Sequence, residues 1–190
     1  TYYLRETTAP VGYTAAELTW TVKIAAGKAT ISTPGGTTVT EVKNTSRLRL
    51  KLKVLGPLGE ELPGAVLRVT RDNGSPMLYK TNEAGAALLE QMPAGDYIIQ
   101  LAGTPTGYVP EDSAPNLKAE YGTLTYLDTA NTAWQLEQCE GEEYTYLLTL
   151  KLKELHILPS TGGAGTVPFT LAGAALMAVA VLLPGRKKVK

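Results

Sequence analysis

A segment that occurs twice, 95 residues apart, constrains the fold of this chain more than any other feature. Residues 2–13 and 97–108 share an aromatic residue, an apolar pair and a Pro-x-Gly-Tyr ending. Each copy predicts a β-strand that runs into a turn, because proline and glycine favour turns. Solenoid units are only about 20–50 residues long, so the longer period predicts stacked β-domains.

The remaining sequence also indicates an all-β chain. Segments with the composition of strands lie between turns rich in Gly, Pro and Asn-Gly: residues 20–24, 29–32, 39–43, 48–55, 65–70, 86–89, 97–101, 124–127 and 144–153. Several short strands separated in this way are typical of a β-sandwich. The predicted fold class is therefore all-β, with tandem β-sandwich repeats.

The C-terminal end combines an uncharged stretch with a basic ending. Residues 166–183 carry no charge, and residues 184–190 contain four basic side chains. The uncharged stretch would extend roughly 27 Å as a helix, which is enough to cross a bilayer core. Because basic flanks stay on the cytoplasmic side, we expect a transmembrane helix with the preceding residues outside. The alternative is a buried core helix followed by a basic tail.

Charge and rare residues exclude several classes of protein. The chain has 18 basic and 18 acidic side chains, which argues against a nucleic-acid binder. Without the basic ending, 14 basic side chains face 18 acidic ones, a net charge of −4. The single cysteine excludes a disulfide framework and a cysteine-based zinc cluster. We expect no metal and no cofactor, and we interpret the glutamates around Gly141 as a solvated hairpin tip.

A short motif stands immediately before the uncharged stretch, and its residues are Leu158, Pro159, Ser160, Thr161 and Gly162. The order of pentapeptide, apolar span and basic tail resembles the LPXTG sorting signal of Gram-positive surface proteins. The resemblance implies that a sortase attacks the Thr161 carbonyl, releases the chain from Gly162 onward and transfers Thr161 to peptidoglycan. It also implies a secreted, wall-attached protein whose C-terminus is membrane-inserted before processing.

The first copy of the repeat, YYLRETTAPVGY, resembles the E-box of collagen-adhesin B-type repeats, the SpaA-like pilin domains. The resemblance implies prealbumin-like or inverse-Ig sandwiches. It divides the chain into an incomplete repeat (1–46), a complete repeat (47–157) and the sorting signal (158–190). The incomplete repeat should expose an unpaired strand edge. Because Thr1 follows no signal peptide, we expect this to be the C-terminal piece of a longer protein.

The same resemblance implies a self-made amide cross-link between a lysine and an asparagine, promoted by the E-box glutamate. Burial favours the neutral amine and the protonated carboxyl that this reaction needs. Glu6 matches the acid and Asn44 the acceptor of the first repeat, and the donor lysine would lie upstream of Thr1. Lys53 matches the donor position of the second repeat, but Leu101 stands in place of the acid. Residues 147–153 contain no asparagine, so we predict no cross-link there.

The resulting hypothesis is a stalk that presents an upstream adhesive region and is attached to the wall. Its partners would be a sortase and peptidoglycan, and further candidates are other pilin subunits or a host matrix ligand. Apart from autocatalytic cross-linking, we expect no enzymatic activity from these residues. Two alternatives remain: a minor or basal pilin joined into a pilus, and the stalk of an anchored enzyme whose catalytic domain lies upstream.

Overall fold

The structure is a computed structural model that describes residues 1–127 and 132–156. Their secondary structure is all β, with these strands: β1 Tyr2–Arg5, β2 Tyr13–Thr14, β3 Thr19–Ala25, β4 Lys28–Ser32, β5 Thr45–Ser46, β6 Arg49–Leu55, β7 Val66–Arg71, β8 Met77–Lys80, β9 Ala86–Leu89, β10 Gly95–Gly103, β11 Asn116–Glu120, β12 Thr123–Tyr126, β13 Trp134–Gln138 and β14 Thr145–Lys151. In these two ranges no helix is long and apolar enough to cross a membrane. The predicted sorting motif (158–162), transmembrane helix (166–183) and basic tail (184–190) lie outside the described residues.

Two sheets that follow the first repeat form a β-sandwich. One sheet has the order β12-β11-β10-β7-β8, and the other has the order β13-β14-β6-β9. The strand pairs are antiparallel except for β6 and β14, which run parallel over seven residues. This arrangement confirms the predicted fold class.

Period-two alternation places the core between these sheets. Leu50, Leu52 and Val54 on β6 are fully buried, and the residues between them face the other side. Every buried member of this core lies between Leu48 and Leu152. Burying each large apolar side chain contributes about 1.5–3 kcal/mol, so the second repeat is stabilised by its own residues.

The internal repeat is also visible in the backbone of the two E-box turns. The Tyr13 N–H donates to the Pro10 carbonyl over 3.1 Å, and the Tyr108 N–H donates to the Pro105 carbonyl over 3.3 Å. These pairs are related by the same offset of 95 residues that relates the sequences. The duplication therefore repeats a local structure as well as a sequence pattern.

The first repeat presents an exposed apolar face. Its three-stranded sheet has the order β1-β3-β4, with β1 at one edge. Tyr2 on β1 is 63% exposed, whereas its counterpart Tyr97 on β10 is 5% exposed. The counterparts Leu4 and Ile99 differ in the same way, at 48% and 0%. A face that forms core in the second repeat is thus open in the first.

The strand prediction was wrong at one place and incomplete at others. Residues 39–43 form no strand. The isolated Ser32–Thr38 bridge lies just before them, and the Val39 N–H donates to the Ile31 carbonyl, but no continuous ladder follows over these residues. Without a continuous ladder partner, an extended segment gains few hydrogen bonds. The strands that were not predicted are β2, β5, β8, β11 and β13, although the alternating burial of β11 follows a clear period of two.

Candidate functional site

The structure brings Glu6 and Asn44 together at the end of the first sheet. Glu6 directly follows β1, and Asn44 directly precedes β5, which pairs with β2 beyond the E-box turn. The Asn44 Nδ2 donates to Glu6 Oε1 over 2.7 Å, and the Ala16 N–H donates to Glu6 Oε2 over 3.0 Å. Both carboxylate oxygens are therefore held, and the side chain has a fixed orientation.

The amide of Asn44 is only half satisfied. Its Oδ1 atom is buried and has no hydrogen-bond partner among the described residues. A buried acceptor without a partner costs about 1–3 kcal/mol, so this oxygen is a place where a further donor would be stabilising. Within residues 1–127 and 132–156, no lysine donates a hydrogen bond to Asn44 or Glu6. The carboxyl group of Glu6 and the amide of Asn44 are therefore adjacent.

Lys53 lies in a different environment. It pairs with Thr149 on β14 and with Ala86 on β9, so its strand is interior to the sheet. Its side chain points away from the core, is 29% exposed, and donates from Nζ to Glu61 Oε1 over 2.7 Å. Leu101, at the acid position, packs against the core and supplies no carboxyl group.

The glutamates near Gly141 are engaged with basic side chains. Glu142 accepts from Lys51 Nζ at 2.5 Å, and Glu143 accepts from Arg47 at 3.2 Å. The hydrogen bond with Lys51 lowers the pKa of Glu142, and the same bond raises the pKa of Lys51. Among the described residues no group of His, Cys, Asp or Glu side chains could hold a metal ion.

A contact between the two repeats was not anticipated from the sequence. Gly12, in the first E-box turn, lies against Gly122 of the β11–β12 hairpin, and both have positive φ values of 82° and 78°. The Gly12 carbonyl accepts from the Arg47 N–H over 2.8 Å. The Arg47 guanidinium lies 4.5 Å from the centre of the Tyr144 ring, a favourable cation–π geometry. No short motif indicates such a contact.

Comparison with known families matches two parts of the chain. Residues 52–132 match the SpaA prealbumin-like fold domain, and residues 155–190 match the LPXTG cell wall anchor motif. The chain therefore contains a SpaA prealbumin-like fold domain and an LPXTG cell wall anchor motif. These matches confirm the family resemblance, and they make the chain a cell-wall-attached, pilin-like surface protein of a Gram-positive bacterium. The anchor motif implies sortase and peptidoglycan as partners. A search of curated proteins found no similar sequence.

Solved structures of pilus proteins are similar in fold to this LPXTG-anchored chain. A C-terminal fragment of the pilus adhesin SpaC from Lactobacillus rhamnosus GG has 14% identity and a TM-score of 0.52, covering 82% of this chain and 76% of the fragment. The open conformation of SpaC has 16% identity and a TM-score of 0.53, covering 82% of this chain. The present chain spans only 25% of that structure. At these identities the similarity concerns the fold alone.

Proposed function

We propose that this chain is the wall-proximal stalk of a surface protein, with an incomplete SpaA-type repeat at 1–46, a complete one at 47–157 and a sorting signal at 158–190. A sortase cysteine attacks the Thr161 carbonyl, the Thr161–Gly162 bond breaks, and the new amine of Gly162 leaves. A peptidoglycan amine then displaces the thiol and forms an amide with Thr161. The match to the anchor motif over residues 155–190 supports this assignment most directly.

The first repeat would carry a covalent cross-link in the intact protein. A lysine upstream of Thr1 would attack Cγ of Asn44, the bond from Cγ to Nδ2 would break, and ammonia would leave. The contact of 2.7 Å between Glu6 Oε1 and Asn44 Nδ2 supports a role for Glu6 in transferring the proton that the attacking amine loses to the nitrogen that leaves as ammonia. This covalent cross-link would prevent the first repeat from unfolding under tension, and a stalk needs that resistance.

A pair of variants tests the anchoring step. In the native host, Thr161→Ala should abolish covalent attachment to the wall, and the protein should accumulate with the membrane or in the medium. Ser160→Ala is the matched control, because it changes the neighbouring variable position of the motif and should leave anchoring intact. Persistent wall attachment of Thr161→Ala would overturn the proposal. Mass spectrometry of the released C-terminus distinguishes a wall peptide at Thr161 from a lysine of another pilin.

A further inference from the structure

The first and last strands of the second repeat are direct neighbours. In the parallel pair, Arg49 lies opposite Thr145 at one end, and Leu55 lies opposite Lys151 at the other. Hydrogen bonds extend the ladder at both ends. The Arg49 N–H donates to the Tyr144 carbonyl over 2.9 Å, and the Leu152 N–H donates to the Leu55 carbonyl over 2.8 Å. The two strands are therefore joined along their full lengths.

The parallel direction decides how tension would act on this ladder. The chain enters β6 at Arg49, just after β5, and it leaves β14 at Lys151 toward the anchor motif. Entry and exit thus lie at opposite ends of the paired strands. A pull between them slides one strand along the other, so all the hydrogen bonds are loaded together. Peeling from one end would load them one at a time.

The ladder is also protected from water. Leu50 and Leu52 on β6 and Leu148 and Leu150 on β14 are at most 1% exposed. Strands β9 and β13 flank the pair on its two sides. Water therefore cannot readily replace a strained hydrogen bond, and the sliding motion must also disrupt the closely packed core.

We infer that the second repeat is a non-covalent shear clamp, which bears tension through β6 and β14 and extends reversibly above a threshold force. The inference rests on the proposed anchoring, because anchoring defines which two ends are pulled. It goes beyond that proposal by giving residues 47–157 a mechanical role without a cross-link. Lys53 cannot supply one, because its side chain points outward to Glu61.

Single-molecule force spectroscopy on residues 47–157 tests this inference, since that segment contains its entire core. All variants carry Cys139→Ala to remove the native thiol. In the first geometry the domain is held at its two termini. In the second it is held at its N-terminus and at an introduced Glu140→Cys. Residue 140 is exposed and lies at the same end of the ladder as Arg49, so this pull peels the strands apart.

The clamp predicts a rupture force that is about twofold or more higher for the terminal geometry, because forced unfolding follows the barrier along the pulled direction. Each terminal rupture should release roughly 300 Å of chain and should recover on relaxation. Equal forces in the two geometries would overturn the shear mechanism. If pulling at the two termini releases no such length, a covalent cross-link holds the strands together, and the inference of a non-covalent clamp is also overturned. Both results are independent of wall anchoring, which the Thr161→Ala experiment tests separately.

Discussion

Gly12 and Gly122 touch backbone to backbone, although 110 positions separate them in the chain. A Cβ atom on Gly12 would lie 2.4 Å from the Cα of Gly122, and a Cβ on Gly122 would lie 2.6 Å from the Cα of Gly12. Real Cβ atoms do not approach backbone so closely. The end of the first E-box therefore packs against a hairpin of the second repeat. Arg47 joins the two through its N–H, which donates to the Gly12 carbonyl, and its guanidinium lies over the Tyr144 ring.

Adding a methyl group at this junction should destabilise the protein. We expect Gly12→Ala to lower the free energy of unfolding by about 1–3 kcal/mol more than a matched control, because overpacking forces the backbone to shift. Gly27→Ala is that control: its φ of 75° imposes a similar backbone strain, but nothing lies within 4 Å of the added carbon. Urea denaturation of residues 1–157 measures the free energy of unfolding of each variant. Equal losses would mean that the contact contributes no packing constraint.

The sequence predicts the two E-box strands, β1 and β10, because one is a copy of the other, but it does not predict β11, the partner of β10. Tyr2 pairs with Val22, and Tyr97 pairs with Leu117, so both partners keep the same offset. The Gly12–Gly122 contact could not be predicted in this way, since it depends on how the repeats meet. Residues 39–43 have strand composition, but composition alone supplies no ladder partner. The proximity of Glu6 and Asn44 was implied by family resemblance, whereas their hydrogen-bond geometry required the structure.

The second repeat should keep its full mass. An amide cross-link would remove one ammonia, but Lys53 bonds to Glu61 on the outer face, and its neighbour on β14 is Thr149. We expect intact-mass measurement of residues 47–157 to give the mass calculated from the sequence. Replacing Lys53 with Arg should leave the thermal stability nearly unchanged, because partly exposed ion pairs contribute about 0–1 kcal/mol. A mass lower by one ammonia would contradict this prediction.

In the first repeat we expect a cross-link, and therefore a mass below the calculated value, once the upstream residues are present. The longer protein should lose one ammonia, and Glu6→Gln should retain it, because an amide cannot relay the proton that the reaction needs. Asn44→Ala should also retain full mass, since it removes the acceptor carbon. Glu17→Gln serves as a control, because Glu17 is exposed and lies outside the pair. Ammonia loss in the Glu6→Gln protein would show that Glu6 is dispensable.

Acid should weaken the second repeat through Glu142. Its hydrogen bond with Lys51 lowers the pKa of Glu142 below the ordinary value of 4.5. A carboxyl whose folded pKa is depressed stabilises the fold above its unfolded pKa, and this contribution disappears as the pH falls through the folded pKa. Glu60 adds to the same trend, because its own backbone N–H and the Tyr108 hydroxyl lower its pKa. Stability should therefore decline as the pH falls below about 4.5.

The contribution of Glu142 can be isolated by substitution. Glu142→Gln should reduce the difference between urea midpoints measured at about pH 7 and about pH 3.5, because the glutamine no longer titrates. Glu137→Gln is the matched control on the neighbouring strand β13, where the side chain is exposed. It should leave the difference unchanged. If both variants keep the full acid sensitivity, the Lys51–Glu142 pair is not its source, and the decline must come from other carboxyl groups such as Glu60.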